Sequence, residues 1–72
     1  VKESGTFYPN QAVIMRNKPS TSATHVDTAY AGDYITYDSY KVAGGYVWLH
    51  SASSGNWIPW RVNGGEKYGE IR

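Results

Sequence analysis

The chain has 72 residues, which is enough for one domain with a single small core. Seven Lys and Arg residues against six Asp and Glu residues give a net charge of +1, so the charge balance favours neither nucleic acid nor an anionic membrane as a partner. The sequence contains no cysteine, which excludes disulfides, thiolate metal sites and thiol nucleophiles. No apolar run approaches the roughly 18 residues that a transmembrane helix needs.

The aromatic content is high, because seven Tyr, three Trp and one Phe make up 15% of the chain. Tyr and Trp bury an apolar ring while their polar tip stays in contact with water. A small fold can therefore build its core and a binding face from the same residue types. The eight Gly and the shortage of strong helix formers favour strands and turns.

Turn-forming residues divide the chain into short segments rich in β-formers. The turns are predicted at Tyr8–Asn10, Asn17–Ser20, Ala31–Asp33, Ala43–Gly45, Ser53–Asn56 and Asn63–Gly65. The strands are predicted at Thr6–Tyr8, Ala12–Arg16, Thr24–Tyr30, Tyr34–Val42, Tyr46–Ser51, Trp57–Val62 and Lys67–Ile71. We therefore expect an all-β fold, a small barrel or sandwich of about five to seven short strands. No segment has the period of a helix longer than a single turn.

Alternation along the strands predicts which side chains face the core. In the second segment, Val13 and Met15 share one face, and Arg16 needs solvent or an acidic partner, so Ile14 and Arg16 are predicted to face outwards. In the fifth segment, Val47 and Leu49 are predicted to face inwards. The opposite face of that strand is then formed by Tyr46, Trp48 and His50. Further core positions are predicted at Ile35, Tyr37, Val26, Ile58 and Ile71.

Pro59 lies inside a predicted strand, Trp57–Val62. Because proline lacks the N–H that a central strand donates to its neighbour, this strand is predicted to lie at a sheet edge or to carry a bulge there.

No arrangement of residues in the sequence indicates catalysis. His25 and His50 are too few for a hydrolytic zinc site, which needs three protein ligands and an open position. The acidic residues lie near turns and strand ends, where they are normally solvated. No nucleophile elbow and no phosphate-binding glycine loop is present. We therefore expect a binding module that uses no metal and no cofactor.

Three ligand classes suit a small aromatic-rich β domain. A nucleic-acid binder stacks bases along a basic groove, but the basic residues of this chain are scattered. A carbohydrate module would stack sugars on Trp48, Trp57 or Trp60. A peptide module would use an aromatic-walled groove and backbone hydrogen bonds. The residues favour peptide or glycan over nucleic acid and do not separate the first two.

Six motifs, in order along nearly the whole chain, resemble one known family. They are GTFYPN at Gly5–Asn10, RNKPSTSA at Arg16–Ala23, AGDYITYDS at Ala31–Ser39, GYVWL at Gly45–Leu49, WIPWR at Trp57–Arg61 and YGEI at Tyr68–Ile71. Together they resemble the bacterial SH3b cell-wall-binding domain of lysostaphin-like enzymes and phage endolysins. The resemblance implies an SH3-like barrel without catalytic residues that binds Gram-positive peptidoglycan or another wall polymer outside the producing cell. It also implies a covalently linked lytic domain in a longer parent chain.

The resemblance also implies a ligand groove, in which a peptide cross-bridge of peptidoglycan lies. Carried over motif by motif, its residues here are Ile14, Arg16, Ser39 and Trp57. Lysostaphin-like relatives often have an acidic residue where Ser39 stands, so the preferred bridge is expected to differ from pentaglycine. Relatives also commonly carry an extra upstream segment, whereas only Val1–Ser4 precede the first motif here. These four residues are interpreted as a possible end of an interdomain linker, and residues 1–72 as a single domain.

Overall fold

Seven antiparallel strands form one sheet in the computed structural model, which describes residues 2–72. The strands are β1 Lys2–Pro9, β2 Val13–Arg16, β3 His25–Ala29, β4 Ile35–Ala43, β5 Tyr46–Ser51, β6 Trp57–Val62 and β7 Gly69–Ile71. Their order across the sheet is β3-β2-β6-β5-β4-β1-β7. The prediction of an all-β fold is confirmed. No helix in the described residues is long and apolar enough to cross a membrane.

The first strand begins earlier than the sequence predicts. Lys2 pairs with Ser39 of β4, so the described residues of the possible linker, Lys2–Ser4, lie within β1. Val1, the remaining residue of that predicted linker, lies outside the described residues.

The β4–β5 hairpin has the tight turn that its sequence predicts. Gly44 and Gly45 have φ angles of 59° and 84°, a left-handed conformation that side chains with a Cβ rarely adopt. A two-residue turn with positive φ at both positions matches the right-handed twist of the strands that it joins. This hairpin therefore fixes the register of β4 and β5, which carry one side of the candidate site.

Seven buried side chains of the described residues form the core. It consists of Phe7, Val13, Met15, Ala29, Tyr37, Leu49 and Ile58, each almost completely buried. The predicted core positions Val13, Met15, Tyr37, Leu49 and Ile58 are confirmed, and Ile35 and Ile71 pack against the cluster. Burying an apolar side chain of this size contributes about 1.5–3 kcal/mol, so these few residues supply much of the driving force for folding.

Two predictions of burial are wrong. Trp48 was expected on the outer face of β5 but is only 1% exposed, and its Nε1 donates a hydrogen bond to the Ala43 carbonyl at 3.0 Å. The register between β5 and β6 shifts between Val47 and Trp48, so Val47 and Leu49 are buried on either side of it. Val26 was expected in the core but is 44% exposed, because it lies on β3, which is an edge strand.

The register shift also explains how β6 accommodates its proline. Val47 pairs with Arg61 and Trp48 pairs with Pro59, which leaves Trp60 as the extra residue of a β-bulge. Of the two alternatives predicted for this strand, the bulge is correct and the edge position is not, because β6 lies between β2 and β5.

Candidate functional site

One row of paired residues crosses four strands of the sheet. Ser39 of β4 pairs with His50 of β5, and His50 pairs with Trp57 of β6. Trp57 in turn pairs with Arg16 of β2. Directly paired residues of antiparallel strands project from the same face, so the row brings Ser39, Trp57 and Arg16 to one side of the sheet. Ile14 is two residues before Arg16 in β2, and its side chain is 40% exposed on the same face.

Arg16 ties a loop to the sheet at one end of the row. Its guanidinium donates a hydrogen bond to the Ala23 carbonyl at 2.7 Å, which holds the loop between β2 and β3 over the strand. No carboxylate pairs with Arg16 anywhere in residues 2–72. The guanidinium carries five N–H donors in a planar fork, and the structure assigns one hydrogen bond to it. Arg16 therefore keeps donors for the carbonyl groups of a ligand.

Trp57 packs beside a cross-strand neighbour, His50, that was not predicted as a site residue. The rings of Trp57 and His50 lie 4.8 Å apart between centroids, at an interplanar angle of 60°. His50 donates from Nδ1 to Oδ1 of Asp38 at 2.7 Å. That hydrogen bond holds the pKa of the Asp38 carboxyl below its usual value of 3.8. Asp38 thus orients the imidazole, and the imidazole supports the indole ring.

Ser39 lies beside this carboxylate. Its hydroxyl donates to Oδ1 of Asp38 at 3.3 Å, and the side chain is half-buried. Asp38 therefore supplies negative charge next to the position where the sequence has a neutral serine. The sequence contained a signal for this arrangement, because Asp38 directly precedes Ser39 and His50 stands on the predicted outer face of β5.

A cavity of about 230 Å³ opens where β2 and β6 separate. The two strands pair only at Arg16 and Trp57, and Pro59 has no N–H with which to extend the ladder. The cavity is lined by Ile14 and Arg16 of β2 together with Thr21, Tyr46, Pro59 and Tyr68. Ser39 and Trp57 do not line it. Of the four predicted residues, Ile14 and Arg16 therefore line the cavity, Trp57 lies next to Arg16 in the row, and Ser39 lies at the far end of the row.

Two tyrosines of the cavity were not predicted as site residues. Burial raises the pKa of the Tyr68 hydroxyl, and a hydrogen bond with Tyr46 adds to the effect. The Tyr68 phenol therefore stays neutral, and both tyrosines line the cavity. Tyr46 had a detectable signal, since alternation placed it on the outer face of β5, whereas Tyr68 reaches the site only through the tertiary fold.

The arrangement suits a ligand with a regular pattern of donors and acceptors and few side chains. Trp57, Tyr46 and Tyr68 offer aromatic surface, and Arg16 offers planar donors. Within the described part of the chain, no group of three or more His, Asp or Glu side chains is placed to hold a metal ion.

The sequence matches the bacterial SH3 domain family over residues 1–68. The chain therefore belongs to the bacterial SH3 domain family, and the predicted family resemblance is confirmed. A comparison with curated proteins gives no match.

Solved structures of the same family are closely similar. The lysostaphin SH3b domain in its P4-G5 complex is 29% identical with a TM-score of 0.88, covering 100% of this chain and 88% of that one. The cell wall targeting domain of the peptidylglycan hydrolase ALE-1 is 27% identical with a TM-score of 0.86, covering 99% of this chain and 82% of that one. The antimicrobial peptidase lysostaphin from Staphylococcus simulans is 31% identical with a TM-score of 0.87. The match covers 99% of this chain and 33% of that peptidase.

Proposed function

We propose that the chain is a non-catalytic cell-wall-targeting domain that binds the peptide cross-bridge of peptidoglycan. The observation that carries the proposal is the row that aligns Ser39, Trp57 and Arg16 on one face, next to the cavity at Ile14. Membership of the bacterial SH3 family and the likeness to the lysostaphin SH3b complex and to the ALE-1 targeting domain support it. SH3b targeting domains are binding modules rather than enzymes.

The groove recognises an extended peptide by shape and by its backbone groups. The indole ring of Trp57 packs against a stretch of backbone that has little side chain, because a bulky side chain would hold the two apart. Arg16 donates to carbonyl groups of the ligand, and Ser39 with Asp38 accepts from its amides or from a terminal amine. The open gap between β2 and β6 holds the adjoining part of the ligand against Ile14 and Tyr46.

The proposed setting is the outside of a Gram-positive cell. The domain tethers a lytic domain of a longer parent chain to its substrate, and it reaches the wall after lysis or secretion. A polymer of uncharged backbone groups needs no basic groove, which agrees with the net charge of +1 and the scattered basic residues. Nucleic acid and membrane are not partners in this proposal.

The test measures binding to purified walls and to a pentaglycine peptide. Trp57→Ala and Arg16→Ala are expected to weaken binding about thirtyfold, as loss of a central aromatic or Arg anchor typically does. Trp57→Phe and Arg16→Lys are the matched controls. The first keeps an aromatic ring without the indole, and the second keeps a positive charge without the planar guanidinium. Ser39→Glu is expected to change the ranking of glycine and mixed bridge peptides, because it adds a charge at one wall. A Trp57→Ala variant that folds normally and binds walls as the parent does would show that the groove lies elsewhere.

A further inference from the structure

A second surface of the domain carries exposed aromatic side chains that the groove does not use. Tyr8 of β1 is 42% exposed and Tyr34, just before β4, is 68% exposed. Phe7 and Pro9 on either side of Tyr8 are buried, so alternation along β1 points Tyr8 outwards. The surface is made of Tyr34, Tyr8, Glu70 and Arg72, and we call it the tyrosine strip.

Contacts across three strands organise this strip. The ring centroids of Tyr8 and Tyr34 are 6.5 Å apart, and their planes are tilted by 40°. On the other side of Tyr8, Cζ of Arg72 lies 5.5 Å from the centre of its ring. Glu70 pairs directly with Tyr8 across β1 and β7 and is exposed. The side chains therefore form a continuous surface in which Tyr8 is the central member.

The polar groups of the strip are available to a ligand. Neither tyrosine hydroxyl has a hydrogen-bond partner within residues 2–72, and neither Glu70 nor Arg72 forms an ion pair there. The strip thus combines two rings with four groups that can donate or accept hydrogen bonds. One carboxylate and one guanidinium cancel each other, so the strip has no net charge to attract a polyanion.

We propose that the tyrosine strip is a carbohydrate-binding site for the uncharged glycan strand of the wall. A sugar ring presents C–H faces that pack on phenol rings and hydroxyls at its edge that bond to groups such as Glu70 and Arg72. The tilted rings of Tyr8 and Tyr34 suit successive sugar units of a twisted glycan chain, whereas a folded protein would need a flatter surface. A stable protein interface would bury about 800 Å² per partner, about a fifth of the 4221 Å² surface of this domain, and the strip has four side chains.

The strip lies apart from the groove, so the two sites make separable predictions. Tyr8 and Glu70 lie on β1 and β7 and Tyr34 lies just before β4, whereas Arg16 and Trp57 lie on β2 and β6 and Ser39 lies further along β4. This proposal does not depend on the cross-bridge assignment, since the glycan contacts none of the groove residues. A domain with both sites binds the wall through two covalently connected parts of one polymer. The second binding event is then intramolecular, and the overall affinity exceeds that of either site alone.

The experiment titrates the chain with two probes in a calorimeter. The probes are a pentaglycine peptide and peptide-free glycan strands, prepared from peptidoglycan with an amidase and then amidated at the lactyl carboxylates that this cleavage exposes, so that the strands stay uncharged. The double variant Tyr8→Ala/Tyr34→Ala is expected to lose at least about tenfold in affinity for the glycan strands while its affinity for the peptide stays the same. Trp57→Ala is expected to show the reverse pattern, so failure of one proposal is visible separately from failure of the other.

Two controls make the result specific to the strip. Tyr30→Ala removes a tyrosine that is 60% exposed but makes no ring contact in the described structure, and it is expected to bind glycan as the parent does. Tyr8→Phe/Tyr34→Phe keeps both rings and is expected to retain most of the affinity. The proposal is overturned if the parent chain does not bind the glycan strands. It is equally overturned if the folded Tyr8→Ala/Tyr34→Ala variant binds them unchanged, or if Tyr30→Ala weakens binding as much.

Discussion

At the scale of single residues, the least expected feature is the contact between the rings of His50 and Trp57. A tryptophan on a sheet surface has rotational freedom that a ligand must remove on binding. The ring of His50, fixed by Asp38, reduces that freedom before the ligand arrives. In the proposed groove, Asp38 and His50 are therefore positioning residues that act through Trp57.

This support has a dependence on pH whose sign follows from Asp38. The hydrogen bond from His50 lowers the pKa of Asp38 in the folded state, so the carboxylate stabilises the fold above its usual value of 3.8. The contribution is lost as the pH falls through the lower folded pKa. Asp38→Asn is therefore expected to lower the unfolding midpoint at pH 5 to 7 and to have a progressively smaller effect as the pH falls below 3.8. Thermal melts across this range measure it.

The same substitution in a His50→Ala background is the control for that prediction. Without the imidazole, Asp38→Asn is expected to have a much smaller effect on the midpoint, because the main partner that lowers the pKa is absent and only the weaker hydrogen bonds, such as that from Ser39, remain. Equal effects in both backgrounds would show that Asp38 stabilises the fold through some other contact.

At the scale of strands, β5 buries side chains on both of its faces beside the register shift with β6. Simple alternation in β5 predicts Val47 and Leu49 inside and Trp48 outside. The bulge at Trp60 changes the path of the neighbouring strand, and all three side chains are buried. Stacking of sugars on Trp48 is thereby excluded.

Substitutions in the two strands with contrasting burial test this assignment. Leu49→Ala removes a side chain that is 2% exposed and is expected to cost about 2–4 kcal/mol in free energy of unfolding. Val26→Ala, on the edge strand β3, is expected to stay within about 0.5 kcal/mol of the parent. Urea denaturation measures both. Equal losses for the two variants would contradict the burial pattern described for β3 and β5.

The strands and most residues of the row could be predicted from the sequence. The other features depend on contacts between strands, which local sequence patterns do not contain. Strong turn residues such as Gly44–Gly45 mark strand ends locally, and alternation places Val13 and Met15 inside. Burial of Trp48 depends on where β6 pairs, which local periodicity does not contain. The support of Trp57 by His50 is likewise a contact between strands. Tyr68 joins the cavity only because the chain after β6 returns to it.

At the scale of the whole molecule, the small net charge predicts how binding responds to salt. Attachment through aromatic packing and backbone hydrogen bonds releases few counterions, so wall binding is expected to persist at about 0.5 M salt. Sedimentation with purified walls at increasing ionic strength measures this. A nucleic-acid-binding barrel with the same fold would lose affinity steeply over the same range. A steep loss of wall binding would mean that exposed charges dominate the contact.

The single pairing between β2 and β6 also divides the sheet mechanically. The β2–β3 pair is joined to the remaining strands at Arg16 and Trp57 and by the core contacts of Val13 and Met15, whereas β4, β5 and β6 share long ladders. Segments that share few hydrogen bonds with the rest of a fold tend to open at low free energy, so we expect β2–β3 to open locally before β4, β5 and β6. In the proposed binding mode, a ligand between β2 and β6 would contact both strands, so the domain would become more rigid at the site that binds the wall.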